Sequence, residues 1–351
     1  MKYGKLSAAL AAGAAALLTL SACGSGSDAG ASVSDAVNNA TSVVGGAVNT
    51  ATSVAGGAVN TATSAAGGAI NTATSAAGSM ADKATSAAGS AMNNATGGGD
   101  PSKSKVLNDA KGGKLTIGIK FDQPGLGVKN PDGSFSGFDV DVAKYVAKKL
   151  GVPETGITFV ETKSAEREDK ISKGEVDYIV GTYSITDERK QKVNFAGPYF
   201  IAHQDLLVKA DNTDITGPEA LNGKILCSVT GSTPAQKVKK DYSQQVELQE
   251  FGTYTECVEQ LKSGVVDAVT TDDVILAGYA AQDPGQFKLV GKGFSDENYG
   301  IGLQKDDTAG TDAITTALKD MVKDGSWKAA LDKNVGPSGY KIPEPPANLT
   351  S

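Results

Sequence analysis

The chain reads as an α/β protein of two similar lobes behind a long low-complexity leader. Three observations predict this. Apolar strand-like runs alternate with helical runs from Lys114 onward, which argues for parallel sheet with helices on its faces. The same sub-pattern occurs twice, which suggests two lobes. The length of 351 residues is enough for two cores.

The leader has its own grammar. Lys2 and Lys5 form a positive n-region, LSAALAAGAAALLTL is an apolar stretch, and LSAC (20–23) closes it with small residues before a cysteine. This pattern is an export signal over residues 1–22. A membrane helix is the competing reading, but the stretch is short and rich in alanine. LSAC resembles a bacterial lipobox. That resemblance implies cleavage before Cys23, a lipid such as palmitate on its thiol, and a mature protein held on the outer face of the membrane. The alternative is ordinary secretion with a free Cys23.

Residues 23–109 read as a spacer. After a Gly/Ser/Ala/Asp linker, an eleven-residue repeat runs from AVNNATSVVGG (36–46) and AVNTATSVAGG (47–57) to the degenerate AMNNATGGGD (91–100). Apolar residues fall at unit positions 1, 2, 5, 8 and 9, which is one helical face over three turns. Two adjacent glycines in most units cost roughly 2 kcal/mol each time against alanine. No aromatic residue occurs between Tyr3 and Phe121. Such a segment cannot bury enough surface to offset its ordering entropy. About 70 residues of it span roughly 45 Å as coil or about 100 Å as helix. An amphipathic helix lying on lipid would need bulky apolar and basic residues that are missing.

The remainder divides into elements. KLTIGIK (114–120) is a strand, NPDGSFSGF (130–138) a turn centred on PDG, and DVDVAKYVAKKL (139–150) an amphipathic helix. ITFVET (157–162), AEREDKISKG (165–174) and VDYIVG (176–181) continue as strand, helix and strand. KILCSV (224–229), PAQKVKKDY (234–242), VELQEF (246–251), TECVEQLKSG (255–264), DAVTT (267–271) and VILAGYAAQ (274–282) repeat the alternation. FKLV (287–290) and YGIGLQ (299–304) are strands, and 311–334 forms one or two closing helices.

Composition excludes several function classes. The formal charge of −7, which becomes −9 when Lys2 and Lys5 leave with the signal, argues against nucleic-acid binding. One histidine rules out a histidine-rich metal site or a histidine pair. Cys23, Cys227 and Cys257 have no CxxC spacing. No Walker A sequence occurs, so the chain does not hydrolyse ATP. No catalytic residue, metal or cofactor is expected.

GFDVDVAKYVAKKL (137–150) resembles the signature of the amino-acid-binding proteins of bacterial ABC importers, family 3 of the solute-binding proteins. TYSITDERKQKVNFAGPY (182–199), GKILCSVTGST, VDAVTTDD and DGSW fit the same family, in order, across 110–340. The likeness is greatest to lipid-anchored glutamate-binding proteins of Gram-positive bacteria. It implies a two-lobed, periplasmic-binding-protein-like (type II) fold with two hinge strands, near 202–206 and 296–300. Lobe 1 would comprise 110–201 plus 301–340, lobe 2 207–295, and 341–351 a tail. It also implies a monomer that delivers an amino acid to membrane permease subunits driven by a separate ATPase. Rival readings are an amino-acid-sensing module and a fold-related dehydratase-type enzyme. No membrane-spanning segment after residue 340 and no Ser–His pairing favours either.

The resemblance maps a site onto these residues. Arg189 offers a planar, permanently charged fork to an α-carboxylate. Ser184 adds a hydroxyl and a backbone N–H, and the Thr182 carbonyl is placed to accept from the ligand ammonium. They follow the carboxyl end of a strand, where open α/β sheets bind ligands. Alone, Arg189 reads as a surface charge beside Asp187 and Glu188. In TGSTPAQ (230–236), Gly231 allows a tight turn, Ser232 or Thr233 caps a helix, and Pro234 takes its first position. Thr233 is the candidate contact, at a helix start suited to anions. Asp272 is the partner for the ammonium, with Asp273 as fallback or either one as a helix cap. Lys120 and Arg167 supply distal cations that favour glutamate or aspartate. A glutamine ligand would leave them unpaired, at a cost of several kcal/mol. Arg167 pairing with Glu166 or Glu168 is the alternative. Phe121 and Gln123 stand where relatives place an aromatic wall. His203 is read as structural on a hinge strand, and Trp327 as core. Cys227 and Cys257 fall in one lobe and are expected to form a disulfide, or else remain two buried thiols.

Overall fold

The computed structural model describes residues 99–350. The export signal, Cys23 and nearly all of the repeat lie outside them. In chain order the strands are β1 (Leu115–Ile119), β2 (Asp122–Gln123), β3 (Gly127–Lys129), β4 (Phe135–Ser136), β5 (Ile157–Glu161), β6 (Tyr178–Val180), β7 (Val193–Lys209), β8 (Ile225–Val229), β9 (Glu247–Phe251), β10 (Ala268–Asp272), β11 (Phe287–Leu289) and β12 (Asp296–Gln304). The helices are α1 (Lys105–Lys111), α2 (Phe138–Lys149), α3 (Arg167–Ser172), α4 (Asp187–Lys190), α5 (Pro234–Asp241), α6 (Tyr254–Ser263), α7 (Asp273–Gln282), α8 (Thr308–Lys323), α9 (Ser326–Asn334) and α10 (Ala347–Thr350).

Hydrogen bonding orders the main strands β5-β1-β6-β12-β7-β10-β8-β9, with β11 on β7. β5, β1 and β6 run parallel in lobe 1, and β10, β8 and β9 run parallel in lobe 2. Between them β7 and β12 pair antiparallel, from Val193 opposite Gln304 to His203 opposite Asp296. These two long strands are the hinges. The register shifts between Tyr299 and Ile301, at Gly300. A Cβ there would lie 2.7 Å from Ile185 Cγ1, so the shift is built on a residue with no side chain.

Local chemistry explains the elements. Leu115, Ile117 and Ile119 of β1 are buried, as expected for a central parallel strand covered on both faces. In α2, Phe138, Val142 and Val146 recur every fourth residue on the buried face, and Lys148 and Lys149 sit at the negative end of the helix dipole. Gly137, just before it, has φ +126°, and a Cβ there would overlap the Leu126 carbonyl. Only glycine fits. Phe138 then packs against Tyr199, Phe200 and Trp327. Trp327 donates its indole N–H to the Tyr199 carbonyl at 2.8 Å, which places it in the core. The closing helical region is two helices, because Gly325 turns the chain at φ +81°.

Two boundaries differ from the sequence reading. A spacer ending at 109 would cut through α1, whose Val106, Leu107 and Ala110 are buried in the core. Segment 341–351 is not a loose tail over its described residues. Leu349 is buried, and Asn348 donates to the Pro198 carbonyl. Both segments carry too few apolar residues to stand out in a sequence, yet each places them against an existing core. His203 bridges the hinge strands, with Nδ1 2.9 Å from Asp296.

Cys227 of β8 and Cys257 of α6 form a disulfide, 30 residues apart. Replacing both with serine should lower the free energy of unfolding by about 3.7 kcal/mol, by the loop-closure argument. Urea unfolding checks this; an unchanged midpoint would remove the bridge from the account of stability.

Candidate functional site

The carboxyl ends of β6, β8 and β10 meet at one cavity. Ser164, Arg167, Thr182, Ser184 and Arg189 line it from lobe 1, and Ser232, Thr233, Tyr254, Thr271 and Asp272 from lobe 2. The lobes are in contact around it. Gly231, at φ +77°, lies so close to lobe 1 that a Cβ would come within 2.6 Å of Ala165 Cα.

Arg189 is 7 % exposed, which excludes the surface-charge reading. Its own N–H is capped by Thr186 Oγ1 at 3.2 Å. Nη1 donates to the Ser184 carbonyl at 2.8 Å, and Nη2 crosses the cleft to the Gly231 carbonyl at 3.0 Å. Nε lies 3.3 Å from Glu168 Oε1. Of the guanidinium's five N–H bonds, one on each terminal nitrogen remains. Ser184 is buried and bridges to Tyr299 of β12.

Arg167 is buried and pairs with neither Glu166 nor Glu168. Nε donates to the Ser164 carbonyl at 3.2 Å, and Nη1 to the carbonyls of Gly181 and Thr182 at 3.2 and 3.4 Å. Its guanidinium stacks on Tyr183, 4.1 Å from the ring centre, and Arg189 lies 5.1 Å from the same ring. Burial, with Arg189 adding to it, lowers the Arg167 pKa to about 10, so the group stays charged at neutral pH.

Thr182 has φ +42°, a left-handed conformation that costs a non-glycine residue roughly 1 kcal/mol. Its N–H donates to Asp139 Oδ2 at 3.0 Å, and its hydroxyl pairs with Gln123 at 3.1 and 3.2 Å. Its carbonyl accepts one bond from Arg167, at 3.4 Å, and keeps a second lone pair for another donor. Gln123 is fully buried and acts through Thr182 rather than on the cavity wall. Asp139 also accepts from the Tyr199 hydroxyl at 2.7 Å, and burial raises its pKa to about 6.

In lobe 2, Pro234 opens α5 as the sequence implies, but neither candidate cap works by side chain. Thr233 has helical φ and ψ and sends its hydroxyl to Glu297 at 3.5 Å. Asp272 ends β10. Its Oδ2 accepts from the Tyr299 hydroxyl, while Oδ1 is buried with no hydrogen-bond partner, as is Thr271 Oγ1. Burial first, then Glu297, raises the Asp272 pKa to about 8; the Tyr299 bond and Arg189 oppose the shift. Asp273 is not a substitute. It turns to the hinge, accepting from the His203 and Val274 N–H groups and the Tyr340 hydroxyl.

Lys120 is buried, with Nζ 3.5 Å from Ser164 Oγ and 3.8 Å from Asp122. It stands one residue behind the wall, and burial lowers its pKa to about 8 against the pull of Asp122. Phe121 does not line the cavity; the aromatic face comes from Tyr254. Tyr254 and Tyr299 had no signal in the sequence, while Ser232 was read only as a helix cap and Glu168 only as a partner for Arg167. Glu168 reaches Arg189 within lobe 1 instead.

Residues 115–337 match the family described as bacterial extracellular solute-binding proteins, family 3. The chain belongs to that family. This family 3 protein is 50% identical over 257 residues to the glutamate-binding protein GluB of Corynebacterium efficiens, covering 70% of this chain and 86% of the relative. It is 42% identical over 197 residues to the glutamine-binding protein of Geobacillus stearothermophilus, covering 56% and 74%. Among solved structures, an ancestral arginine-binding protein bound to arginine superposes with a TM-score of 0.59 at 37% identity, covering 63% of this chain and 97% of that one. The family 3 protein is thus an amino-acid solute-binding protein of extracytoplasmic location. Among the described residues, no helix is long and apolar enough to cross a membrane.

Gly231→Ala should hold the lobes apart, because both its φ and its approach to Ala165 exclude a Cβ. Small-angle scattering should give a larger radius of gyration than wild type. An unchanged radius would mean that the turn yields without opening the cleft.

Proposed function

We propose that this chain is the capture component of an ABC importer, closing on an acidic amino acid, glutamate before aspartate. The observation that carries the reading is Asp272 Oδ1, buried and unpartnered in the cavity that Arg189 lines. A buried carboxylate calls for a cation, and the guanidinium for an anion. An α-amino acid carries both on one carbon.

In this reading the remaining Nη N–H bonds of Arg189 and the Ser184 hydroxyl take the α-carboxylate. The start of α5, with Thr233, completes that pole from lobe 2. Asp272 takes the ammonium. Arg167 and Lys120 face the side-chain carboxylate, Gln123 holds the Thr182 turn, and Tyr254 takes the wall role expected of Phe121. The glutamate-binding relative supports an acidic ligand, and the two distal cations agree with it. Lobe 1, now including α1 and α10, and lobe 2 (207–295) move as two bodies on the hinge strands. The ligand meets Arg189 and Ser184 first, and closure adds Asp272. The lipidated Cys23 and the spacer that runs from it to the start of lobe 1 tether the lobes to the membrane, where the closed monomer docks on the permease.

Calorimetry on ligand-stripped protein with glutamate, aspartate, glutamine, asparagine and arginine tests the ligand class; tighter binding of an amide or of arginine would sink the acidic reading. Arg189→Ala should weaken the preferred ligand by about 100-fold or more, since it leaves a buried carboxylate unpaired. Undiminished binding would refute the site.

Asp272 also predicts a pH dependence. Its pKa in the closed form is raised to about 8 from the ordinary 3.8, and water returns it toward 3.8 when the lobes part. A raised pKa favours the closed ligand-free form below about pH 4, and that advantage is lost as pH rises through about 8. Lys120, lowered from 10.5 to about 8, acts in the separate window above pH 8. Scattering on ligand-free protein should show more closed molecules at pH 5 than at pH 7.5. Asp272→Asn should abolish that difference; a difference that persists in the variant assigns it to another group.

A further inference from the structure

Asp122 has no part in the site as described, yet it touches both lobes. It lies on β2 in lobe 1, with its side chain 6% exposed. Oδ2 accepts the backbone N–H of Tyr254 at 2.8 Å. Tyr254 is the first residue of α6, in lobe 2. The Thr253 hydroxyl at that helix end serves the Glu256 N–H instead, so Asp122 satisfies a donor that the helix itself leaves open. A carboxylate there also meets the positive end of the helix dipole. The Asp122 carbonyl accepts from the Tyr279 hydroxyl, on α7 of lobe 2. The same hydroxyl lies 3.4 Å from Oδ2, so three bonds from two residues of lobe 2 meet at Asp122 across the cleft.

The other oxygen stands beside Lys120. Oδ1 is buried, has no hydrogen-bond partner, and lies 3.8 Å from Lys120 Nζ. Lys120 in turn reaches Ser164 Oγ at 3.5 Å and sits 6.0 Å from the Tyr254 ring centre. Ser164 and Tyr254 both line the cavity.

We propose that Asp122 is a positioning residue: a latch that couples Lys120, behind the Ser164–Tyr254 end of the cavity, to closure of lobe 2 on its helix starts. Closure brings the Tyr254 N–H onto Oδ2 and leaves Oδ1 to hold Lys120 in place. Opening hydrates the carboxylate and releases both. The latch therefore acts on escape of the ligand and not on its first encounter with lobe 1, where Arg189 lies. Closed, Lys120, Arg167 and Asp122 sum to one positive charge, which one added carboxylate neutralises. The inference rests on the reading of the cavity as an amino-acid site, but not on which amino acid fills it.

The test measures association and dissociation of radiolabelled L-glutamate on the purified protein. If wild type prefers L-glutamine, that label replaces it; this outcome sinks the acidic reading and leaves the latch testable. Asp122→Ala should raise the dissociation rate about tenfold or more and leave association within about threefold. Asp122→Asn keeps an acceptor for the Tyr254 N–H and should restore most of the slow dissociation. It removes the anion beside Lys120, so the pH midpoint of affinity belonging to that lysine should fall. If the alanine variant does not fold, Tyr279→Phe deletes the hydroxyl that reaches the Asp122 carbonyl and Oδ2, along with its bond to Thr255 inside lobe 2, and should speed dissociation alone. Wild-type dissociation in Asp122→Ala or in Tyr279→Phe overturns the latch. So does an asparagine variant that dissociates like alanine and keeps the wild-type pH midpoint.

Discussion

Burying a carboxylate that only one hydroxyl serves is costly, and Asp272 imposes that condition on the cleft. Tyr299 donates to one oxygen, and the other has no protein partner. The cost appears as a pKa raised to about 8. It exists only while the lobes touch, because an open cleft would hydrate the group. An opposing charge relieves it. Arg189 already acts in that direction from lobe 1, but its hydrogen bonds go to the Ser184 and Gly231 carbonyls and its ion pair to Glu168. A zwitterion is the small solute that answers both groups at once, which ties what is bound to whether the clamp stays shut.

The rest of the cavity reads as support for that pair of charges. The turn after β6 is held from below by Asp139 on the Thr182 N–H and from above by Arg167 on the Gly181 and Thr182 carbonyls. Gln123 holds the Thr182 hydroxyl from the side. These bonds keep Thr182 in a conformation it would not choose alone. Such over-determination is how a site keeps its geometry while the lobes move around it. Tyr299 links the layers, since its backbone bridges Ser184 and its hydroxyl reaches Asp272. A hinge strand therefore contacts both poles of the site.

The strands and helices were legible because each advertises its own period. β1 is a run of buried apolar residues, and α2 repeats its buried face every fourth residue. Arg189, Ser184 and Asp272 were singled out by the family resemblance of the blocks that hold them, and the fold brings all three to one cavity. What could not be read depends on partners without sequence identity or close neighbourhood. Arg167 chose three backbone carbonyls over the adjacent glutamates. Glu168, a helix neighbour of Arg167, went to Arg189 instead. Asp139 looked like an ordinary acid in the first turn of α2, and only the fold brings Thr182 and Tyr199 to it. Phe121 does not line the cavity, and Tyr254 stands on its wall from the opposite lobe. The outer boundaries failed for another reason: α1 buries three apolar residues and α10 only Leu349, too few to shift the local composition.

Charge balance then bears on selectivity. Near the Ser164–Tyr254 end, two cations and one anion leave a single positive charge in a region nearly closed to water. An amide side chain would leave that charge uncompensated, and a cationic side chain would double it. At the opposite end Arg189 is already matched in part by Glu168, so the α-carboxylate meets a guanidinium held in place rather than an unopposed charge. Burial lowers the Lys120 pKa to about 8, so it stays mostly charged at neutral pH, and Asp122 and Glu166 both oppose the shift. In the proposed reading a carboxylate on the ligand side chain adds a further anion beside it, and that added pairing is what separates an acidic ligand from an amide of equal size.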